Sequence, residues 1–244
     1  MSVLLVCAMI LAAACGSAGS GTTGGSGAST GNGQAGGGGE ETGPTGEPFK
    51  VGVLLPYSGV YAALGESMTN AMELYFESIG WQAGGRPIEL IKEDTEANPE
   101  VGLRRVRKLV EQDEVDILTG VVSSGVLMSI RDYVDEAGVF LISSNAGAVP
   151  IATDRKSPYI WLVSYTNAQP PSALGAWWYE NVAQEVFLTA PDYQAGYDST
   201  GAFRETFEAA GGRVVGELFP PLGTTDYAPY LTQDRKSTRL NSSH

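Results

Sequence analysis

From Phe49 onward the chain repeats one pattern: a short apolar, β-branched run, a turn, then a longer stretch with helical spacing. A run such as 50–56 (KVGVLLP), closed by Pro56, Tyr57, Ser58 and Gly59, is too short for a helix and apolar on both faces, as a strand buried inside a parallel sheet must be. Residues 61–79 follow, with Leu64, Met68, Ala71, Met72, Tyr75 and Ile79 at three- and four-residue spacings, which predicts a helix with a buried stripe. The alternation continues: a turn over Gly84, Gly85, Arg86 and Pro87, a strand at 88–93, and a helix opened by Asn98 as N-cap with Pro99 in its first turn. Strands at 115–122, 139–143 and 159–163 flank a helix running from Ser123 and Ser124 to Ala137, ended by Gly138. A helix at 167–181, a strand at 186–190, a helix at 196–210 and a strand at 213–218 complete the pattern, and a last helix opens at Tyr227. Strand–helix units in this number predict an α/β fold of doubly wound parallel sheets. In such sheets ligands sit beyond the C-terminal ends of the strands, so the loops 56–64, 122–125, 143–150 and 190–196 are the places to seek a site.

The two ends of the chain lack this pattern. Val3–Ala14 is an apolar run too short to span a bilayer but suited to the core of a signal peptide, and it leads through small residues to Cys15. Small residues before a Cys resemble the bacterial lipobox, which implies removal of the leader, with Cys7 in it, and lipidation of Cys15. Ala12 stands where Leu is commoner, and no Lys or Arg precedes the run. Residues 16–48 hold 14 Gly among 33 residues and cannot bury a core, so they are expected to form a flexible tether. Residues 234–244 (DRKSTRLNSSH) resemble a translated sequencing adapter, so the natural sequence is expected to stop near Gln233.

Composition removes several function classes. The net charge of −13 opposes nucleic-acid binding, which needs a basic surface. The single histidine is His244, the last residue, which leaves a Ser-His-Asp triad, a Cys-His pair or a histidine zinc site without its key group. No phosphate-binding G-x-x-x-x-G-K-[ST] motif, metal spacing or G-x-S-x-G elbow occurs. The nearest carboxylate pair, Glu93–Asp94, reads as a loop cap. The one basic cluster, Arg104, Arg105, Arg107 and Lys108, reads as a solvated helix face with Glu100 one turn before Arg104. An enzyme is not expected, and no cofactor is.

The segments at 50–65 (KVGVLLPYSGVYAALG), 85–100, 109–124 (LVEQDEVDILTGVVSS), 138–150 (GVFLISSNAGAVP), 164–171 and 190–198 (APDYQAGYD) resemble, in order, type I periplasmic substrate-binding proteins, above all those of branched-chain amino acid ABC transporters. The resemblance covers about residues 49–233. It implies two α/β lobes with a solute closed between them: an N-terminal lobe at 49–164 and a second lobe starting at 165, incomplete at 233, with about 100–150 residues of the family fold missing.

Candidate solute-binding residues follow from the loops and the resemblance together. Ser123 and Ser124 open a helix, where unpaired N–H groups favour a carboxylate. Taken alone they read as plain N-caps; the resemblance implies that this loop holds the ligand carboxylate, with Ser124 the better candidate. Asn145, Ala146 and Gly147 follow the next strand. Relatives often carry a Thr where Gly147 stands, so side-chain help to an amino-acid ligand is lost there and backbone groups remain. Tyr61 and Leu64 lie in the first loop, Leu64 fitting the buried stripe of its helix. Tyr165 sits at the crossover and Tyr193 after the second-lobe strand, and either ring suits stacking on a solute. Ala195 stands where some relatives place an aromatic. Trp177 and Trp178 read as helix packing. The resulting expectation is a solute-binding component of an ABC importer. It would lie outside the cytoplasmic membrane, lipid-anchored to its outer face or periplasmic, and work with a membrane permease. The alternative is the ligand-sensing extracellular domain of a receptor or regulator.

Overall fold

The structure is a computed structural model and describes residues 46–230. The leader, Cys7, Cys15, most of the tether and the 234–244 segment lie outside the described residues. Strand β1 (Phe49–Leu55) is central. It pairs in parallel with β3 (Arg86–Asp94) on one side and β4 (Ile117–Gly120) on the other. Beyond β4 lie β5 (Leu141–Ser143) and β6 (Ile160–Leu162), also parallel, while the two-residue β2 (Gln82–Ala83) runs antiparallel to β3 at the far edge. The order is therefore β2-β3-β1-β4-β5-β6. Gly84 and Gly85 make the β2–β3 turn with φ of 59° and 81°, the positive values a two-residue hairpin turn needs. Arg86 and Pro87, expected in the turn, start the strand instead.

Alternate residues of the strands feed two cores. Leu54, Leu118, Leu141 and Ile160 pack with α2 (Pro99–Glu111) and α3 (Ser124–Ala137) on one face. Val51, Val53, Leu55 and Ile88 pack with α1 (Ala62–Ser78), reached through the short 3-10 turn Gly59–Tyr61, on the other. The caps are those the sequence predicts: Asn98 accepts from the Glu100 and Val101 amides, and Gly138 ends α3 in the left-handed conformation. Helix α1 departs from expectation. Its stripe is only partly covered: Leu64 is 38% exposed and Tyr75 62%. On that face Ile142 and Trp161 stand side by side in register on β5 and β6, and Trp161 is left 60% exposed. A cavity of ≈ 400 Å³ remains between α1 and the sheet, lined among others by Met72, Tyr75, Ile117 and Ile142.

After β6 the chain passes to α5 (Gln169–Asn181) and the parallel pair β7 (Glu185–Thr189) and β8 (Arg213–Leu218), joined by α6 (Gln194–Ala209). A short helix, α4 (Val149–Ala152), lies between β5 and β6. Helices α5 and α6 pack closely through Trp178 edge-on to Phe203 and Tyr179 edge-on to the fully buried Phe207, whereas Trp177 is half exposed. The segment from Tyr227, expected to open a helix, shows helical turns at residues 228–230, where the described residues stop.

The helices after β1 and β7 share a local device. Gly65 in α1 and Gly196 in α6 each lie against the carbonyl of a proline just beyond the preceding strand, Pro56 and Pro191. A Cβ would come within 1.9 Å and 2.0 Å of those oxygens. Four residues on, Thr69 and Thr200 donate their hydroxyls to the Gly65 and Gly196 carbonyls, both at 2.9 Å. Each helix is thereby seated directly over the end of its strand, which fixes where the strand-end loop emerges.

Candidate functional site

All the loops named from the sequence emerge at the C-terminal ends of parallel strands. The β1 loop is pinned by Asp94 at the end of β3, which accepts from the Tyr57 amide at 2.9 Å and the Glu96 amide at 2.8 Å. Partial burial opposes the Asp94 charge, but these bonds, with those from Ser58, outweigh it and hold the carboxyl below its usual value. Tyr57 in turn shares a 2.8 Å hydroxyl bond with Thr69 of α1, and burial raises its pKa. Asp94 thus caps the loop as the sequence suggests. Its neighbour Glu93 behaves differently. It is only 9% exposed and takes Arg105 at 3.2 Å and Lys108 at 2.7 Å. Those two cations, with side chains 40% and 39% exposed, lie on the solvated face and at the same time partner a buried carboxylate. The reason is that β3 and α2 bring the alternate-face residue Glu93 under the helix.

The pinned β1 loop presents Tyr61, whose hydroxyl lies 2.9 Å from that of Tyr193 at the start of α6. This joins the loop after β1 to the loop after β7. Burial, then the bond from Tyr61, raises the Tyr193 pKa well above the ordinary phenol value.

Strand β4, expected to run to Val122, ends at Gly120 because the chain turns there through φ of 111° at Gly120 and 63° at Val121. The turn is held by the Val121 amide on the Leu54 carbonyl at 2.7 Å, and by the Val121 carbonyl, which accepts the Ala146 amide at 2.9 Å. It delivers the chain to α3 with Ser123 as N-cap, its hydroxyl 3.5 Å from the Val126 amide, and Ser124 as the first helical residue. Both serines are buried. Ser124 Oγ accepts a bond of 3.1 Å from Asn167 Nδ2, which leaves its own hydroxyl hydrogen to donate.

The β5 loop is largely self-satisfied. Ser143 Oγ donates to the Ala146 carbonyl and the Ala146 amide is committed to Val121, so the Ala146 amide is taken and its carbonyl keeps one lone pair. Asn145 is exposed and lines a cavity of ≈ 310 Å³ with Leu64, Met68, Met72 and Ser144. Gly147 is packed against the crossover: a Cβ would lie 2.4 Å from the Tyr165 carbonyl. The missing side chain is thus demanded by contact with residues 165–167, where the Gly147 carbonyl also accepts the Asn167 amide at 2.8 Å. Tyr165 itself points largely to solvent, 64% exposed.

Two further polar residues meet here that sequence reasoning does not single out. Asn167 Nδ2 donates to Asp198 Oδ2 at 2.9 Å as well as to Ser124. Asp198, on α6, also accepts the Val149 amide at 3.0 Å and Gln194 Nε2 at 2.7 Å. The sequence signal is faint. Its pattern puts Asn167 inside the helix that in fact starts at Gln169, and Asp198 lies one turn inside the helix following β7. Among the described residues no cluster of His, Cys, Asp and Glu suits a metal ion, and no helix is long and apolar enough to cross a membrane.

Comparison with known proteins adds three relations. The chain is 28% identical over 189 residues to "Leu/Ile/Val-binding protein homolog 6" of Brucella abortus, covering 77% of this chain and 48% of that protein. It resembles the solute-binding protein of an ABC transporter from R. palustris solved with benzoate, at TM-score 0.74 and 32% identity, over 78% of this chain and 53% of that one. It also resembles the solute-binding protein of Rhodopseudomonas palustris BisB5 solved with 3,4-dihydroxy benzoic acid, at TM-score 0.71 and 33% identity, over 78% and 52%. The chain thus spans about half the length of the relatives it matches. These relatives are solute-binding proteins, not enzymes. The periplasmic binding protein family matches residues 48–238, so the sheet order, the strand-end loops and this match agree that the chain belongs to the type I periplasmic binding proteins.

Proposed function

We propose that the protein captures a small carboxylate-bearing solute outside the cytoplasmic membrane and hands it to an ABC permease, with Cys15 as a lipid anchor and residues 16–48 as the leash. The observation that carries this reading is the start of α3. Ser124 stands there with a hydroxyl hydrogen to give, at a helix N-terminus whose partial positive charge favours an anion. The Tyr61–Tyr193 pair supplies two rings at neighbouring loops, apolar in body and hydrogen-bonding at the tip. Ser123, Asn145 and Tyr165 complete the candidate wall. An aromatic carboxylate suits this set better than an α-amino acid. Gly147 has no hydroxyl for an ammonium or carboxylate, and the two solved relatives described above hold benzoate and 3,4-dihydroxy benzoic acid. A branched-chain amino acid is the second reading, favoured by the name of the Brucella relative.

The test is thermal stabilisation of the protein, extended to the length of its relatives, by benzoate, 4-hydroxybenzoate, leucine, isoleucine and valine. Stabilisation by the aromatic acids, lost in Ser124→Ala, is expected; at a concentration of about 100 times Kd it amounts to about 2.7 kcal/mol. Stabilisation by the aliphatic amino acids alone selects the second reading. No response to any of the five sinks both.

A further inference from the structure

Asn167 occupies a position that no single role in one loop explains. Its backbone is fully used: the amide donates to the Gly147 carbonyl at 2.8 Å, and the carbonyl accepts Ser199 Oγ at 3.2 Å. Its side-chain amide then spends both hydrogens in different directions, one on Ser124 Oγ at 3.1 Å and one on Asp198 Oδ2 at 2.9 Å. The planar amide holds its two N–H bonds at a fixed angle. The Asp198 bond therefore sets the amide plane, and the amide plane sets which lone pair of Ser124 is occupied. Asp198 is itself fixed by the Val149 amide at the start of α4 and by Gln194 one turn before it on α6.

We propose that Asn167 is a positioning residue. It couples the Ser124 hydroxyl at the start of α3 to Asp198 on α6, so that the aim of the solute-binding hydroxyl and the seat of α6 against α4 are held or lost together. This rests on the reading that Ser124 meets the solute, and it goes beyond that reading by making the hydroxyl's direction depend on a helix it does not touch. Such linkage is reciprocal: a carboxylate that takes the Ser124 hydrogen also stabilises the Asn167–Asp198–Val149 chain of bonds.

The experiment is a double-mutant cycle of Ser124→Ala and Asp198→Ala on the full chain without solute, repeated in an Asn167→Ala background, with the unfolding equilibrium in urea as readout. Sites without a shared partner add to within about twofold. The expected result is a coupling of about threefold or more when Asn167 is present, falling to about twofold or less in Asn167→Ala. Additivity in the Asn167 chain, or coupling that survives Asn167→Ala, overturns the proposal. If Asp198→Ala does not fold, hydrogen exchange at the Val149 amide decides. Ser124→Ala is expected to speed it about threefold or more by releasing Asn167, and an unchanged rate overturns the proposal. Benzoate is then the solute probe: a weakening of about tenfold is expected in Asn167→Ala, and an unchanged affinity counts against the proposal. Failure of the unaltered chain to bind benzoate would sink the aromatic-acid reading instead, and the solute-free cycle would stand on its own.

Discussion

At the scale of single residues, two positions show how local cost is tolerated where loops meet. Val121 is β-branched yet sits at φ 63°, a conformation that costs on the order of 1–3 kcal/mol. Its fully buried side chain and the bonds of its amide and carbonyl to the loops of β1 and β5 hold it there. Gly147 is the complementary case, where a side chain is excluded by the crossover backbone. Neither is legible in the sequence, because each depends on a neighbour far along the chain. Asp94 gives a pH prediction at this scale. Its carboxyl is held below the ordinary value of 3.8 in the folded state. It therefore adds stability that is present above that value and is lost as pH falls through the lower folded value. Asp94→Asn is expected to flatten the acid arm of a Tm-against-pH profile below about pH 5. An unchanged acid arm would remove Asp94 from the account of the β1 loop.

At the scale of elements, helices are more legible than strand ends. The start and stop of α3 and the cap of α2 are readable because Ser, Asn, Pro and Gly act within a turn of their own position. Strand β4 is overextended in the sequence reading because Val121 and Val122 continue its β-branched run past the bend at Gly120 and Val121. Pairing of Glu93 with Arg105 and Lys108 escapes a sequence reading because it needs β3 and α2 face to face. The paired glycines make an element-scale prediction. Alanine at Gly65 or Gly196 gains about 1 kcal/mol of helix propensity. It also drives a Cβ to about 2 Å from a backbone carbonyl that no rotamer can move, at about 1–3 kcal/mol or more. Net destabilisation is expected for both in denaturant unfolding, with a weakened Tyr61–Tyr193 contact because the helices that carry their loops shift. Stabilisation by either alanine would show that the helix is not seated on the strand end.

At the scale of the whole molecule, the described residues leave the β5–β6 half of one sheet face bare. Trp161 is 60% exposed and Tyr75 62%. An apolar face of this kind favours self-association. The purified chain is expected to associate in sedimentation velocity experiments, and Trp161→Ser combined with Tyr75→Ser to shift it toward monomer. A double variant as associated as the parent would place the sticky surface elsewhere. Apart from the two-residue β2 and the short α4, the order of strands and helices, and the class of loops that carry the candidate site, followed from the sequence alone. Periodicity and capping are local properties, and parallel connections leave few topologies open. The lack of the catalytic and metal-site groups that need a histidine likewise followed from composition. The tertiary structure decided which of those loop residues are committed to one another. The Ala146 amide is bonded to Val121, Gly147 is filled by the crossover, Tyr61 meets Tyr193, and Asn167 joins Ser124 to Asp198. These are contacts between residues up to 132 positions apart. Their energy depends on distance and direction in the folded chain, and no local pattern of residues carries that information.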